Sequence, residues 1–329
     1  MDVESPSRGD VLDLRLLHAL ELDARAPFSR IAAALGVSDQ TVARRFRRLQ
    51  SEADLRVVGV RGAASEGSFE HWLLRVRCAP EGAMPIAEAL AKRPDTAWIG
   101  LTSGGTEVTC TVNMRSRGDA DDLLIGKLPR TPRIVDIRAH QLLHRFYGGP
   151  AGWLHKGGAL TPAEIAALTP PPAHAPPGPA VITADDEPLV AALEGDGRAT
   201  YPELQRATGL SESAVRRRLA RLVASGALYV DVEFDYAHLG HRIASMLYVT
   251  AAPRALHAVG TALATDREVA YAAATTGPSN LVAVVIARDS AHFYRYLSER
   301  LGGLDGVEHV ESMPLLRQVK QLTYRPFRG

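Results

Sequence analysis

Two short stretches carry most of the chemistry that can be read from this chain: Gly209 to Leu222, GLSESAVRRRLARL, and Gly36 to Leu49, GVSDQTVARRFRRL. Each opens on a serine, Ser211 or Ser38, whose hydroxyl can accept from a free backbone N–H of the first helical turn. Glu212 and Asp39 follow, and an acidic residue there is favoured by the helix dipole. Val215, Leu219 and Leu222 in one stretch, and Val42, Phe46 and Leu49 in the other, recur at the i, i+4, i+7 spacing of one buried helical face. The opposite side carries Arg216, Arg217 and Arg221, with Arg218 between the two, and in the other stretch Arg44, Arg45, Arg47 and Arg48. Gly209 can take the left-handed conformation of a tight turn between two helices, so the pattern predicts a helix-turn-helix with a basic second helix. Such a helix binds phosphates and base edges; a run of arginines alone is as readily a solvated helix face.

The repetition decides between these. Gly36 corresponds to Gly209, and Asp13, Leu16 and Leu20 correspond to Asp186, Leu189 and Leu193 at that same offset, so the chain is a tandem duplication. At 329 residues it is long enough for two or three domains, and 46% hydrophobic residues suffice for packed cores. The formal charge is only +1, yet each helical segment carries five arginines against one or two acids, the local clustering expected of phosphate binding. Cys78 and Cys110 align with Ala251 and Ala283, which marks them as small core fillers and argues for a reducing, cytoplasmic compartment. The first residues, MDVESPSRGD, lack a basic-then-apolar signal, and no apolar run approaches the roughly 18 residues of a membrane span. His71, His140, His144 and His155 show no metal-ligand spacing, and no Ser/His/Asp or Cys/His set, phosphate loop or carboxylate pair stands out, so the sequence calls for no cofactor, no metal and no catalytic residue.

The elements that position the basic helices follow from the pattern. An amphipathic helix spans Asp10 to Leu22, Pro27 starts the helix carrying Ile31 and Leu35, and Leu55 to Val60 is predicted as the strand of a wing. In the second copy that place reads GALYVDVEF, with Gly226 as a helix C′ residue. The first copy has Ala53 there, and a left-handed alanine is strained, so its helix is expected to end differently. After each winged unit comes a βαββαβ segment: strands at 72–77, 96–102, 108–114 and 134–139 with helices at 83–92 and 120–128, then strands at 246–250, 269–275, 281–287 and 307–311 with helices at 255–264 and 291–301. This order predicts an α+β chain of two repeats, each a winged helix-turn-helix followed by a ferredoxin-like domain. Two helices on one face leave the other sheet face needing cover, which a second copy can supply.

The implied boundaries are a first winged unit at 1–62, a first ferredoxin-like domain at 63–155, a linker at 156–183, a second winged unit at 184–236 and a second ferredoxin-like domain at 237–329. In the linker, Thr161, Pro162 and Glu164 make an N-cap, an N1 proline and a capping-box glutamate, and TPPPAHAPPGP beyond them should run as polyproline II over about 34 Å. It is either a spacer setting two binding units apart or a mere connector.

On these features the chain resembles two fused copies of the leucine-responsive/asparagine-regulatory (Lrp/AsnC) family of transcription regulators, over nearly its whole length. The features are the Asp-x-x-Leu-x-x-x-Leu opening at Asp13 and Asp186, the Gly-[Val/Leu]-Ser-x-x-x-Val-x-x-Arg-[Phe/Leu]-x-Arg-Leu helices, Asp235 to Gly240, and the Thr-x-Gly turns between the middle strands. The resemblance implies winged helix-turn-helix units on double-stranded DNA. It further implies ferredoxin-like (RAM/ACT-like) domains that form homo-oligomers and take an amino acid or other small effector near that turn. The implied effector residues are Thr102, Gly104 and Glu107, with Thr275, Gly277 and Asn280 in the second copy; Asn280 drops the acid that Glu107 keeps. Ordinary glycine-containing hairpin turns are the alternative.

The second helix of such a motif enters the major groove with its N-terminal residues on base edges. That makes Ser38, Asp39, Gln40 and Thr41, and Ser211, Glu212, Ser213 and Ala214, the expected DNA-facing tips. Arg44, Arg48, Arg217 and Arg221 are expected as surface phosphate contacts, and Arg45 and Arg218 as phosphate contacts or fold braces. Two rival classes remain. Some relatives of this fused layout decarboxylate sirohaem through histidines and an aromatic run that EHWLLRV and RIASMLYV do not show. A metabolite-sensing interaction module without DNA binding is the other.

Overall fold

The computed structural model describes residues 8–62, 70–114, 117–170 and 181–324. In chain order the first copy forms α1 (Arg8–Leu22), α2 (Phe28–Leu35), α3 (Asp39–Glu52) and β1 (Arg56–Arg61). It continues as β2 (Glu70–Cys78), α4 (Ala83–Ala91), β3 (Thr96–Thr102), β4 (Glu107–Met114), α5 (Arg117–Ala120, wound more widely over Asp121–Lys127) and β5 (Ile134–Tyr147). A connecting helix, α6 (Pro162–Leu168), precedes the second copy: α7 (Glu187–Gly195), α8 (Tyr201–Thr208), α9 (Glu212–Ala224) and β6 (Leu228–Glu233). Then come β7 (Ile243–Ala251), α10 (Leu256–Thr265), β8 (Val269–Thr275), β9 (Leu281–Ala287), α11 (Ser290–Arg295, continuing more widely over Tyr296–Leu301), β10 (Val307–Pro314) and β11 (Arg317–Lys320). The fold is α+β, and it divides into two compact units, one built from both helix-turn-helix segments and the other from both βαββαβ segments.

In the helical unit the predicted faces are buried: Val42, Phe46 and Leu49 pack with Leu16, Leu20 and Ile31, and Val215, Leu219 and Leu222 with Leu189, Leu193 and Leu204. Gly36 and Gly209 make the inter-helix turns at φ 70°. The first copy does end its basic helix differently. Gly226 is left-handed at φ 69°, whereas Ala53 stays at φ −118° and the left-handed position passes to Asp54 at φ 48°, a residue type that tolerates it far better than alanine. The two wing strands do not make separate wings. β1 and β6 pair antiparallel with each other, and Val58 stands opposite Asp231, its own counterpart in the second copy.

That register is the mark of an isologous interface, in which each contact recurs with the copies exchanged. Arg25 donates to the carbonyls of Gly197 and Ala199 (2.9 Å), and Arg198 donates to those of Ala24 (2.6 Å) and Ala26 (2.9 Å). Each guanidinium also lies over an aromatic ring of the other copy, Arg25 over Tyr201 at 5.9 Å and Arg198 over Phe28 at 4.6 Å. The connector therefore does not hold the two helix-turn-helix segments apart, because ribbon and clasp fasten them together. Its first part is itself docked: the Thr161/Glu164 capping box is formed, Glu164 accepts from Arg15 at 2.5 Å, and Arg30 donates to the carbonyls of Ala167 and Thr169. Of the polyproline stretch expected at 169–179, everything from 171 on lies outside the described residues.

Glu21 provides an internal pH probe in this unit. Its buried carboxyl accepts the backbone N–H groups of Trp153 (3.1 Å) and Leu154 (2.8 Å), and burial outweighs those bonds, pushing its pKa up to about 8. A carboxyl raised in the folded state holds a proton that the unfolded chain releases, so its stabilisation is complete below about pH 4.5 and is lost as pH rises toward 8. Burial also lifts Asp231 to about 6 and drops His18 to about 4 from an ordinary 6.5, so for both groups the folded and unfolded states differ in protonation mainly below about pH 7. Between about pH 7 and 8 the stability of this unit is expected to fall by up to roughly 1.4 kcal/mol per pH unit, and Glu21→Gln to flatten the slope. Urea midpoints across that range check it; equal slopes in both proteins would refute it.

In the second unit each copy orders its strands in the ferredoxin-like way, β5-β2-β4-β3 and β10-β7-β9-β8. The copies then exchange strand ends. The later half of β5 pairs with β8, Arg145 opposite Ala273, and β11 pairs with β3, Gln318 opposite Gly100, which is the same register with the copies exchanged. The result is one nine-stranded sheet. Leu73 from the first copy packs with Tyr248, Ala273, Val282 and Met313 from the second, so each copy does cover the other's sheet face. β5 runs well beyond the predicted 134–139, and β11 was not predicted. Their polar residues, His144, Arg145, Arg317 and Gln318, become strand because a partner edge is there to pair with. Cys78 and Cys110 are buried free thiols, and burial pushes Cys110 up to about 12. Among the described residues no helix is long and apolar enough to cross a membrane.

Candidate nucleic-acid interface

The basic helices are seated by a pair of buried acids. Asp13 has no solvent exposure and accepts from Arg45 (3.3 Å) and from Arg48; Asp186, equally enclosed, accepts from Arg221 (2.8 Å) with Arg218 at 3.3 Å. Burial alone would raise the Asp186 carboxyl, but bonds from Thr183 and Arg221 outweigh it and hold it below the ordinary aspartate value. Four of the arginines on the two helices thus face inward. Arg45 and Arg218, expected as phosphate contacts or fold braces, have the geometry of a brace. Arg48 and Arg221, expected as phosphate contacts at the surface, are each half-buried and paired with the acid at the first helix of their own copy. Asp13, Arg45 and Arg48 keep the same mutual spacing as Asp186, Arg218 and Arg221, but so do Arg44 and Arg217, and the spacing alone does not single out the inward arginines.

The outer arginines are different. Arg44 and Arg217 are exposed and make no ion pair among the described residues, while Arg47 bonds only its own helix, at the Ala43 carbonyl. They border two open depressions, one lined by Gln40, Ala43, Arg44 and Arg47, the other by Thr183, Asp186, Ala214, Arg217, Arg218 and Arg221. The helix tips stand beside them. Ser38 and Ser211 cap as predicted, accepting from the Thr41 and Ala214 backbone N–H groups, and the Ser38 hydroxyl also meets that of Thr41 at 3.0 Å. Asp39 and Gln40 are exposed, as are Glu212 and Ser213. The tips diverge in one respect: Glu212 is bound to Arg216 at 2.6 Å, and Arg216 lies over the Tyr201 ring at 3.7 Å.

The two turns expected to take an effector are not equivalent. In the second, the protein satisfies its own groups: Thr275 donates to the Gln141 carbonyl (3.0 Å), the Asn280 amide bonds the Ala251 backbone in both directions (2.7 and 2.9 Å), and the His140 ring lies against Gly277 with Nδ1 2.9 Å from the Thr276 carbonyl. In the first, Thr102 and Glu107 are buried, and Glu107 accepts from Arg75 at 2.5 Å, while Gly104, left-handed at φ 68°, faces open space. Arg75 reaches on to Glu311 (2.9 Å) and lies over Tyr248 at 4.3 Å. His71 meets Asn113 at 2.6 Å, and among the described residues no group of three histidines, cysteines or acids could hold a metal.

Comparison with known proteins agrees with this arrangement. The model of the AsnC-type helix-turn-helix domain matches twice, at residues 10–50 and 182–223, and that of the Lrp/AsnC ligand binding domain at 245–324. The HTH-type transcriptional regulator FL11 of Pyrococcus horikoshii is 26% identical over 144 residues, 44% of this chain and 95% of its own length. LrpA of the same organism is 26% identical over 141 residues, 43% of this chain and all of its own. Among solved structures, the siroheme decarboxylase NirDL superposes with a TM-score of 0.62 over 96% of this chain and 94% of its own, at 13% identity, which is a likeness of fold. Single-copy regulators thus match just under half of the chain, and a structure of the same doubled layout matches nearly all of it. The chain belongs to the Lrp/AsnC family, in a fused two-copy form.

Proposed function

We propose that this chain is a sequence-specific, DNA-binding transcriptional regulator whose two helix-turn-helix segments engage one duplex together. The observation that carries the reading is the division of the arginines. The inner four are tied to Asp13 and Asp186 and set the helices, and the outer ones, Arg44, Arg47 and Arg217, stay exposed beside the exposed tips. A merely solvated face gives no reason for that arrangement to recur at a fixed offset, and a protein-binding surface would shed exposed charge at its core. Asp39, Gln40 and Thr41, with Glu212, Ser213 and Ala214, are the residues we assign to base edges, where glutamine can pair with adenine and glutamate can accept from cytosine. The ferredoxin-like unit is assigned to assembly and effector response, and the open turn at Gly104 is the better placed of the two for a small molecule.

Because the tips differ chemically, the two half-sites should differ as well. Selection from random duplexes with the full chain is expected to return a site that is not a strict palindrome. A perfectly symmetric site, unchanged when residues 39–41 are exchanged for 212–214, would overturn this. Absence of any DNA binding at low salt, together with a tetrapyrrole-dependent colour in the purified protein, would replace the regulator with a sirohaem enzyme.

A further inference from the structure

Resting on that DNA-binding reading, we infer that the Glu212–Arg216–Tyr201 lock makes the second recognition helix the poorer reader of sequence, so that the first copy, through Gln40, sets the base preference of the whole site. Glu212 Oε1 accepts from both Arg216 Nε (2.8 Å) and Nη2 (2.6 Å), and the same guanidinium lies 3.7 Å from the centre of the Tyr201 ring. Pairing with Glu212 holds the Arg216 pKa above the ordinary arginine value, the direction expected of a charge engaged with its neighbour. The lock takes two groups out of use at once. An arginine free at the tip would be the best available partner for guanine, and a free glutamate could accept from cytosine. What remains of the assigned triplet is the Ser213 hydroxyl, which does not discriminate strongly, and the Ala214 methyl group.

The first copy cannot build this lock. At the positions of Glu212, Arg216 and Tyr201 it has Asp39, Ala43 and Phe28. Ala43 has nothing to offer Asp39, and the Phe28 ring is already occupied, by Arg198 at 4.6 Å and by Phe46 at 5.2 Å. Asp39 and Gln40 therefore stand exposed with no hydrogen bond or ion pair among the described residues. Gln40 can pair bidentately with adenine, and Arg44 one turn further on supports it at the backbone. The duplication has so produced one helix that reads and one that chiefly positions.

The test uses the full chain, random-duplex selection and binding at several salt concentrations for wild type, Gln40→Ala, Glu212→Ala and Glu212→Gln. Gln40→Ala is expected to flatten the selected bases in the more sharply defined half-site. Either Glu212 variant should release Arg216, steepen the log–log salt dependence by close to one unit, and sharpen the weaker half-site. Equal definition of both half-sites in wild type, or Glu212 variants with unchanged slope and unchanged bases, would overturn the inference while leaving the regulator in place. Failure of wild type to bind any duplex would instead overturn the regulator reading. Urea midpoints of the variants verify folding, and Glu212→Gln keeps the side-chain shape if the alanine variant unfolds.

Discussion

Asp186→Ala is expected to lower the stability of the helical unit by roughly 2–4 kcal/mol, and Asp13→Ala by a similar amount. Removing one member of a buried ion pair leaves the other charges without compensation, at a cost of about 3–5 kcal/mol when the remaining partner is fully enclosed. Here the arginines reach partly into water, with Arg48 at 37% and Arg221 at 36% side-chain exposure, so the cost is expected to be smaller than for a fully enclosed pair. Asp186 also accepts the Thr183 backbone N–H (2.9 Å) and hydroxyl (2.8 Å), so its loss uncaps the entry to α7 as well, and it should be the more damaging of the two. Since its pKa is depressed, this contribution is present above about pH 3.8 and is lost as pH falls below that value. Urea midpoints report the effect, and Asp39→Ala, on the exposed tip, should stay within about 0.5 kcal/mol of wild type. Equal midpoints for Asp186→Ala and Asp39→Ala would show that the acid does not seat the helix.

These acids also mark where sequence reasoning stopped short. Periodicity placed Val42, Phe46 and Leu49, and Val215, Leu219 and Leu222, on buried faces, and it placed β3, β8 and β9 to the residue, because those patterns are local. It could not say which arginines of a basic helix face inward, since that depends on an acid from the opening helix of the same copy meeting them across the core. The same limit explains the missed strand ends. Leu142 to Tyr147, LLHRFY, and Leu315 to Lys320, LLRQVK, do not keep the alternation of period two that announces a strand, and only the edge of the other copy makes them one. It also explains why the wing strands read as two wings: the residues of β1 and β6 are those of ordinary half-buried strands, and only their mutual register, Val58 opposite Asp231, shows that each serves as the other's partner. At the effector turns, the loss of the acid at Asn280 was visible in the chain, but the use of that amide to tie down Ala251 was not.

Binding to duplex DNA should lose salt dependence in proportion to the outer arginines removed and not to the inner ones. Each phosphate neutralised contributes about 0.9 to the slope of log affinity against log salt, so Arg44→Ala and Arg217→Ala are each expected to lower the slope by about that amount, and the double variant by about 1.8. Non-specific and specific duplexes should respond alike, because phosphate contacts position the protein without reading bases. Arg45→Ala and Arg218→Ala should behave in the opposite way, leaving the slope nearly unchanged while lowering the urea midpoint, because their charge is already balanced by Asp13 and Asp186. The clasp between the copies adds a constraint on spacing. With Arg25 and Arg198 each bonded to the other copy's carbonyls, the two basic helices belong to one rigid module, so the slope belongs to a single docked body. If all four arginine variants shift the slope equally, the helices are held by something other than the buried acids and the division of labour proposed here is wrong.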